Sequence, residues 1–133
     1  MKMAETLNDI SKEFAIIVIK CCDKKKGHYS LIDQFMRSAT AIGANVREAH
    51  YAHSSADFVS KMQIALKECY ETEYWIEVLS SVDILEAEET EKMSSQCGKL
   101  RRMLIKSINT VKDKQKEWTN IRPVVGTNDT AKP

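Results

Sequence analysis

The chain has 133 residues, 43% hydrophobic and 29% charged, and its 20 Lys and Arg nearly balance 19 Asp and Glu. This length and balance predict one globular domain and exclude a disordered chain, and the net charge of +1 alone indicates no polyanion partner. Both prolines, Pro123 and Pro133, lie near the C-terminus, so residues 1–122 favour uninterrupted helices over a loop-rich β fold.

Four helix starts recur along the chain. In each of them a capping side chain stands three residues before an acidic residue, where it can accept a hydrogen bond from a free backbone N–H. The four pairs are Thr6 with Asp9, Ser30 with Asp33, Ser54 with Asp57, and Asp83 with Glu86.

Each start opens a segment in which apolar residues recur at steps of three and four, the spacing of one helix face. The four stripes are Leu7, Ile10, Phe14, Ile17 and Cys21; Ile32, Phe35, Ala39, Ile42, Val46 and Ala49; Phe58, Met62, Ala65, Cys69, Thr72, Ile76 and Leu79; and Met93, Cys97, Leu100, Leu104, Ile108 and Val111. Short links between them make consecutive helices antiparallel neighbours. The sequence therefore predicts an all-α, up-down-up-down four-helix bundle over residues 1–116, followed by a loosely ordered tail over 117–133.

No pattern indicates catalysis, a cofactor or a metal. The four cysteines suit neither a disulfide framework nor a metal knuckle, and we expect buried thiols in a reducing cytoplasm. His50 and His53 have a metal-compatible spacing but only Asp57 to complete a set, so surface histidines are the preferred interpretation. With no apolar run approaching the roughly 20 residues of a membrane span and no secretory signal at the start, we expect a cytoplasmic protein without membrane contact.

The second helix carries polar residues beside its apolar stripe. Ser38 and Asn45 lie seven residues apart among small side chains, so their polar atoms are expected to be partly buried and to need partners. The predicted network comprises Arg37, Ser38, Asn45, Glu48 and Glu71. Fixing the register of the bundle is its expected role, with a ligand pocket as the alternative.

Charge is unevenly distributed along the chain. Residues 1–98 carry 11 basic and 16 acidic groups, whereas residues 99–133 carry 9 basic and 3 acidic groups. The candidate nucleic-acid-binding residues are Lys99, Arg101, Arg102, Lys106, Lys112, Lys114 and Lys116. Such a face suits a phosphate backbone, or equally an acidic surface of another copy. Lys24, Lys25 and Lys26 form a second, smaller patch.

The third helix is apolar on more than one face, which favours self-association. Val59, Tyr70, Tyr74 and Trp75 cannot all face one core together with the stripe of that helix. These four residues are the candidate oligomer interface.

Several segments resemble the 23S rRNA intervening-sequence protein family, also labelled ribosomal protein S23. They are Leu31 to Ala49 in the second helix, Asp57-Phe58, Ile64 to Glu68 and Glu71 to Glu77 in the third, and Arg101 to Ile108 in the fourth. The resemblance spans about residues 8–112. Gly43 and Ala49 depart from the proline and glycine common in relatives, and both departures favour a continuous second helix.

This resemblance implies a cytoplasmic bacterial four-helix bundle that forms a ring-shaped homopentamer and has no enzymatic activity. It also implies contact with RNA or a ribonucleoprotein, since a related branch, the accessory variability determinants of diversity-generating retroelements, binds nucleic acid and a reverse transcriptase. We therefore expect a non-enzymatic RNA-associated module without a cofactor or a small-molecule substrate. The alternative is a purely structural or protein-binding module whose basic face is used in self-assembly.

Overall fold

The computed structural model describes the backbone of residues 6–121 and the side chains of residues 6–117. Four helices account for nearly all of this part of the chain: α1 (Leu7–Asp23), α2 (Tyr29–His50), α3 (Ser55–Ser81) and α4 (Ala87–Ile121). The predicted all-α fold is confirmed, and α2 runs without a break through Gly43. Helix α4 continues five residues past the predicted boundary at Lys116. The rest of the predicted tail, residues 122–133, lies outside the described residues.

The helices pack in a closed cycle. Helix α1 contacts α2 and α4, and α3 contacts α2 and α4, while no diagonal pair is in contact over the described part of the chain. Ion pairs and hydrogen bonds fix the directions: Asn8 near the start of α1 accepts from Arg47 near the end of α2, and Lys25 just after α1 pairs with Glu89 near the start of α4. These contacts fit the up-down-up-down order.

Two of the four predicted caps are confirmed. Thr6 Oγ1 accepts from the Asp9 N–H and the Asp9 carboxylate accepts from the Thr6 N–H, and Ser54 Oγ accepts from the Asp57 N–H at 3.1 Å. The caps at Ser30 and Asp83 are wrong: α2 begins one residue before Ser30, and α4 begins four residues after Asp83, at Ala87.

The apolar stripes form one core. The α2 stripe is entirely buried, and the other three are buried except for Leu7, Ile17, Phe58 and Val111, which are half-buried beside it. Val18 and Ser11 are buried on α1 in addition to the predicted residues. Each fully buried Leu, Ile or Phe contributes about 1.5–3 kcal/mol, so this core is the main source of stability.

Helices α1 and α2 approach each other closely at Gly43. A Cβ atom built there would lie 3.2 Å from Ser11 Oγ, tighter than an ordinary contact. The buried Ser11 hydroxyl donates to the Asn8 carbonyl of its own helix, so it is satisfied within this narrow space. The absence of a side chain at Gly43 therefore lets α1 approach α2 closely, as expected for small residues.

Candidate nucleic-acid interface

Three of the seven predicted nucleic-acid-binding residues form a stripe on α4. Lys99, Arg102 and Lys106 follow at steps of three and four, on the side of the helix opposite to the buried Leu100, Leu104 and Ile108. All three side chains are exposed, because the core occupies the other face. We call Lys99, Arg102 and Lys106 the cationic stripe. A rigid helix presents these charges about 4.5–6 Å apart along its axis.

Arg101 points to a neighbouring helix. Its Nε donates to both carboxylate oxygens of Glu73 on α3, at 3.0 and 3.2 Å. Donating this hydrogen bond to Glu73 raises the pKa of Arg101. The Arg101 guanidinium thus joins α3 to α4 and offers less charge to an external anion than Arg102 does.

Gly98 brings the two arginines together. A Cβ atom at this position would lie 3.4 Å from one Arg102 guanidinium nitrogen and 3.5 Å from one of Arg101. Both guanidinium groups therefore flank the same bare stretch of α4 backbone, and positive charge is concentrated there.

The remaining predicted residues lie beyond the bundle. Lys112, Lys114 and Lys116 are exposed, and no residue after Ile108 is fully buried among the described side chains. Asp113 and Glu117 alternate with these lysines, so this stretch of α4 carries mixed charge. The seven residues consequently do not form one face: three form the stripe, Arg101 is paired with Glu73, and three lie on the projecting end.

The predicted polar network is split into separate contacts. Ser38 is buried, and the Thr72 hydroxyl lies 2.9 Å from Ser38 Oγ and 2.8 Å from the Glu68 carbonyl, so its proton is shared between these acceptors. Ser38 itself donates to the Phe35 carbonyl. The buried polar contact between α2 and α3 is therefore the Ser38–Thr72 pair. Thr72 was expected only as a stripe residue.

The other members of the predicted network lie elsewhere. Arg37 pairs with Glu71 at 2.7 Å and Glu68 at 3.3 Å, but its side chain is half exposed. Asn45 donates to the Ala41 carbonyl of its own helix, and the exposed Glu48 pairs with Lys61. A single buried network is thus wrong, because Arg37 and Glu48 are exposed and lie about 16 Å apart along α2.

The candidate oligomer interface needs one correction. Val59 is only 8% exposed and belongs to the core, since the N-terminal turns of α3 direct it towards the bundle. Trp75 is half-buried against the core, and its Nε1 donates to Glu71. Tyr70 and Tyr74 remain 50% and 56% exposed. These two tyrosines are one helical turn apart on the outer side of α3.

The smaller basic patch, Lys24 to Lys26, offers fewer free charges than predicted. Lys25 Nζ lies 2.6 Å from Glu89 Oε1, with both side chains largely buried, so its charge is neutralised within the chain. Lys24 and Lys26 stay exposed. The patch therefore joins α1 to α4 more than it offers an anion site.

The cysteines are buried free thiols. Burial raises the pKa of Cys21 to about 11 and that of Cys22 to about 12. Cys69 Sγ and Cys97 Sγ lie 3.5 Å apart between α3 and α4, and their hydrogen bond together with burial raises the pKa of Cys97. Among the described residues, no group of three or more His, Cys, Asp or Glu side chains is placed to hold a metal ion.

Comparison with known proteins decides the family. The sequence model of the 23S rRNA-intervening sequence protein family matches residues 6–106, which include all of α1 to α3 and the cationic stripe. The chain belongs to this family. None of the curated proteins matches it.

A solved structure also supports the assignment of the chain to the intervening-sequence family. The crystal structure of a protein of unknown function from the S23 ribosomal protein family of Bacteroides thetaiotaomicron is similar to it, with a TM-score of 0.73 and 37% sequence identity. The match covers 77% of this chain and 98% of that one. Over the described residues, no helix of the family member is both long and apolar enough to cross a membrane.

Proposed function

We propose that this member of the 23S rRNA-intervening sequence protein family is a non-enzymatic, self-associating module that contacts RNA or a ribonucleoprotein in the cytoplasm. The observation that carries the proposal is the cationic stripe, which places three exposed cations in one row on a rigid helix. Arg102 and Lys106 form no ion pair within the part of the chain that the structure describes, so their charge is available to an external anion.

An RNA backbone suits this stripe better than a small ligand does. A row of cations along one helix matches a row of phosphates, and neutralising phosphates releases counterions, which supplies affinity without a pocket. The stripe lacks aromatic side chains for stacking, so recognition rests on charge and on the shape of a structured RNA. We expect no cofactor and no small-molecule substrate.

Self-association is supported by exposed aromatic surface. Tyr70 and Tyr74 expose about half of their area on one side of α3, and such residues are typical of protein interfaces. The family resemblance suggests five copies in a ring.

Filter binding against structured rRNA fragments at several salt concentrations tests the proposal. The variant K99E/R102E/K106E should lose most retention at low salt, and its dependence of log affinity on log salt should be shallower by about two units. The matched control K20E/K26E/K67E carries the same change in net charge on exposed lysines outside α4. Failure of the wild type to retain RNA at low salt, or equal loss in both variants, would refute RNA contact through the stripe.

Sedimentation of the same stripe variant separates this proposal from its alternative. If the basic face is instead used for self-assembly, K99E/R102E/K106E should dissociate the oligomer. If the stripe serves RNA, the variant should remain associated while RNA retention is lost.

A further inference from the structure

Two grooves lie on opposite sides of the bundle. Since each helix contacts only its two neighbours over the described residues, the face between α1 and α2 is opposite to the face between α3 and α4. The first groove has a cavity of about 380 Å³ and the second one of about 570 Å³. The two grooves differ in both shape and charge.

The α1/α2 groove is narrow, lined by small side chains and basic at its rim. Ala15, Gly43 and Ala44 line it, and Lys12 and Arg47 stand beside them. The one carboxylate of the lining, Glu48, is paired with Lys61, so the rim keeps a net positive charge. Next to it on α1, Ile16 and Ile19 are 42% and 39% exposed and are neighbours three residues apart on the helix surface. This face therefore offers a groove with an aliphatic ridge along one side.

The α3/α4 groove has the complementary features. Tyr70 and Tyr74 form a half-exposed aromatic ridge along its α3 side, and Glu73 and Glu77 add carboxylates to the same groove. Glu73 is held by Arg101, while Glu77 forms no ion pair among the described residues. This face therefore offers a large, acidic groove beside an aromatic ridge.

We propose that the α1/α2 face of one copy docks onto the α3/α4 face of a second copy. The Tyr70–Tyr74 ridge enters the α1/α2 groove at Ala15 and Ala44, and the Ile16–Ile19 ridge enters the acidic groove, with Lys12 facing Glu77. Ridges packing into grooves is the usual way in which helices meet, and opposite charge at the rim fixes which faces pair. This inference rests on the self-association part of the proposed function and specifies its contact surfaces.

The two docking faces determine which symmetry the assembly can have. Because the two docking faces differ and lie on opposite sides, each copy uses one face for each neighbour, which produces a head-to-tail ring or an open chain and not a two-fold dimer. Neither groove is lined by Lys99, Arg102 or Lys106, so the cationic stripe stays accessible in the assembly.

Sedimentation equilibrium of the full chain tests the contact. Y70S/Y74S removes the aromatic ridge, and Ala44→Trp fills the facing groove from an exposed position of α2. Each variant should raise the apparent dissociation constant at least tenfold, since buried tyrosines dominate many interfaces. Circular dichroism should show an unchanged helix content for both. Tyr51→Ser, at a tyrosine that is exposed in the link after α2 and lines neither groove, is the matched control and should associate as the wild type does.

A charge exchange tests the pairing of the two faces. Lys12→Glu and Glu77→Lys should each weaken association, because each places like charges across the contact. The double variant K12E/E77K should restore it, because every contact then pairs opposite charges again.

Three results would overturn the inference: a monomeric wild type at the highest concentration measured, association that survives both Y70S/Y74S and Ala44→Trp, or no rescue by charge exchange. RNA retention by the stripe is read separately by filter binding. A monomer that still retains RNA would remove the docking contact while leaving RNA contact standing.

Discussion

Glu89 connects the link after α1 to the start of α4. Its Oε1 atom accepts from Lys25 Nζ at 2.6 Å and from the Glu86 N–H at 2.9 Å, so one carboxylate both pairs with the link after α1 and caps α4. Burial alone would raise the pKa of Glu89, but these two hydrogen bonds outweigh it and lower the pKa below the ordinary value of 4.5. The ionised form is therefore the one that the fold favours.

This shift predicts a pH dependence. A carboxyl group with a lower pKa in the folded state stabilises the protein above its ordinary pKa, and that contribution is lost as the pH falls through the folded value. Glu89→Gln should cost about 1–2 kcal/mol near neutral pH, and the difference from the wild type should shrink below about pH 4. Urea unfolding at several pH values measures it. Glu91→Gln, an exposed neighbour on α4, should show little effect at any pH, and a difference for Glu89→Gln that stays constant with pH would contradict the prediction.

Glu89 also shows why the sequence could not give its contacts. Its partner Lys25 is 64 positions away along the chain. Lys25 is the middle one of three consecutive lysines, and the sequence does not indicate which of the three pairs with a carboxylate. The same holds for Glu73: it is one of four glutamates on α3, and only the packing of the helices shows that it lies beside Arg101. Apolar spacing predicts which face of a helix is buried, but it does not predict which charged side chain at the edge of that face meets which partner.

Among the elements, the helix starts were only half predictable. Thr6 and Ser54 cap their helices because each of them adopts the extended backbone that a cap residue needs. At α2, the left-handed backbone of Gly27 and His28 starts the helix two residues earlier than a cap at Ser30 would. At the last link, Ile84 and Leu85 donate back to the Leu79 carbonyl, and Leu85 is buried. Burial of one leucine thus delays α4, which local capping residues do not reveal.

Ser54 caps its helix and Ser30 does not, so we expect the two serines to contribute unequally to the free energy of unfolding. Ser54→Ala should destabilise the protein by about 1 kcal/mol, because the Asp57 N–H loses its acceptor at the start of α3. Ser30→Ala should change stability by at most a few tenths of a kcal/mol, since Ser30 lies inside the first turn of α2 and does not cap it. Urea unfolding of both variants provides the comparison. Equal losses would show that Ser30 has a capping role after all.

For the whole molecule, the bundle follows from the sequence and its outer surface follows only in part. The α2 stripe and the rest of the core were predictable because burial recurs at a fixed period along each helix. Basic residues on α4 were predictable as a set, but only the packing divides them into the stripe, the Arg101–Glu73 pair and the projecting end. Val59 was misassigned for a related reason: an apolar residue at the edge of a stripe is buried or exposed according to the crossing of neighbouring helices.

Together, the cationic stripe and the head-to-tail contact predict avidity for long RNA. Each copy in an assembly adds one stripe, and linking several weak sites raises apparent affinity by about a hundredfold or more without a new contact. Y70S/Y74S should therefore bind a long structured RNA far more weakly than the wild type does, although its own stripe is intact. On an RNA short enough to cover a single stripe, the two proteins should bind alike.

Fluorescence anisotropy with RNAs of both lengths measures this, and Tyr51→Ser should match the wild type on each. Loss of affinity on the short RNA would mean that the tyrosines contact RNA directly, because a base can stack on an exposed aromatic ring. Equal affinity on the long RNA would mean that the copies do not present their stripes to one strand. Only a length-dependent loss fits a molecule that divides its surface between two docking faces for its own copies and one edge of α4 for phosphates.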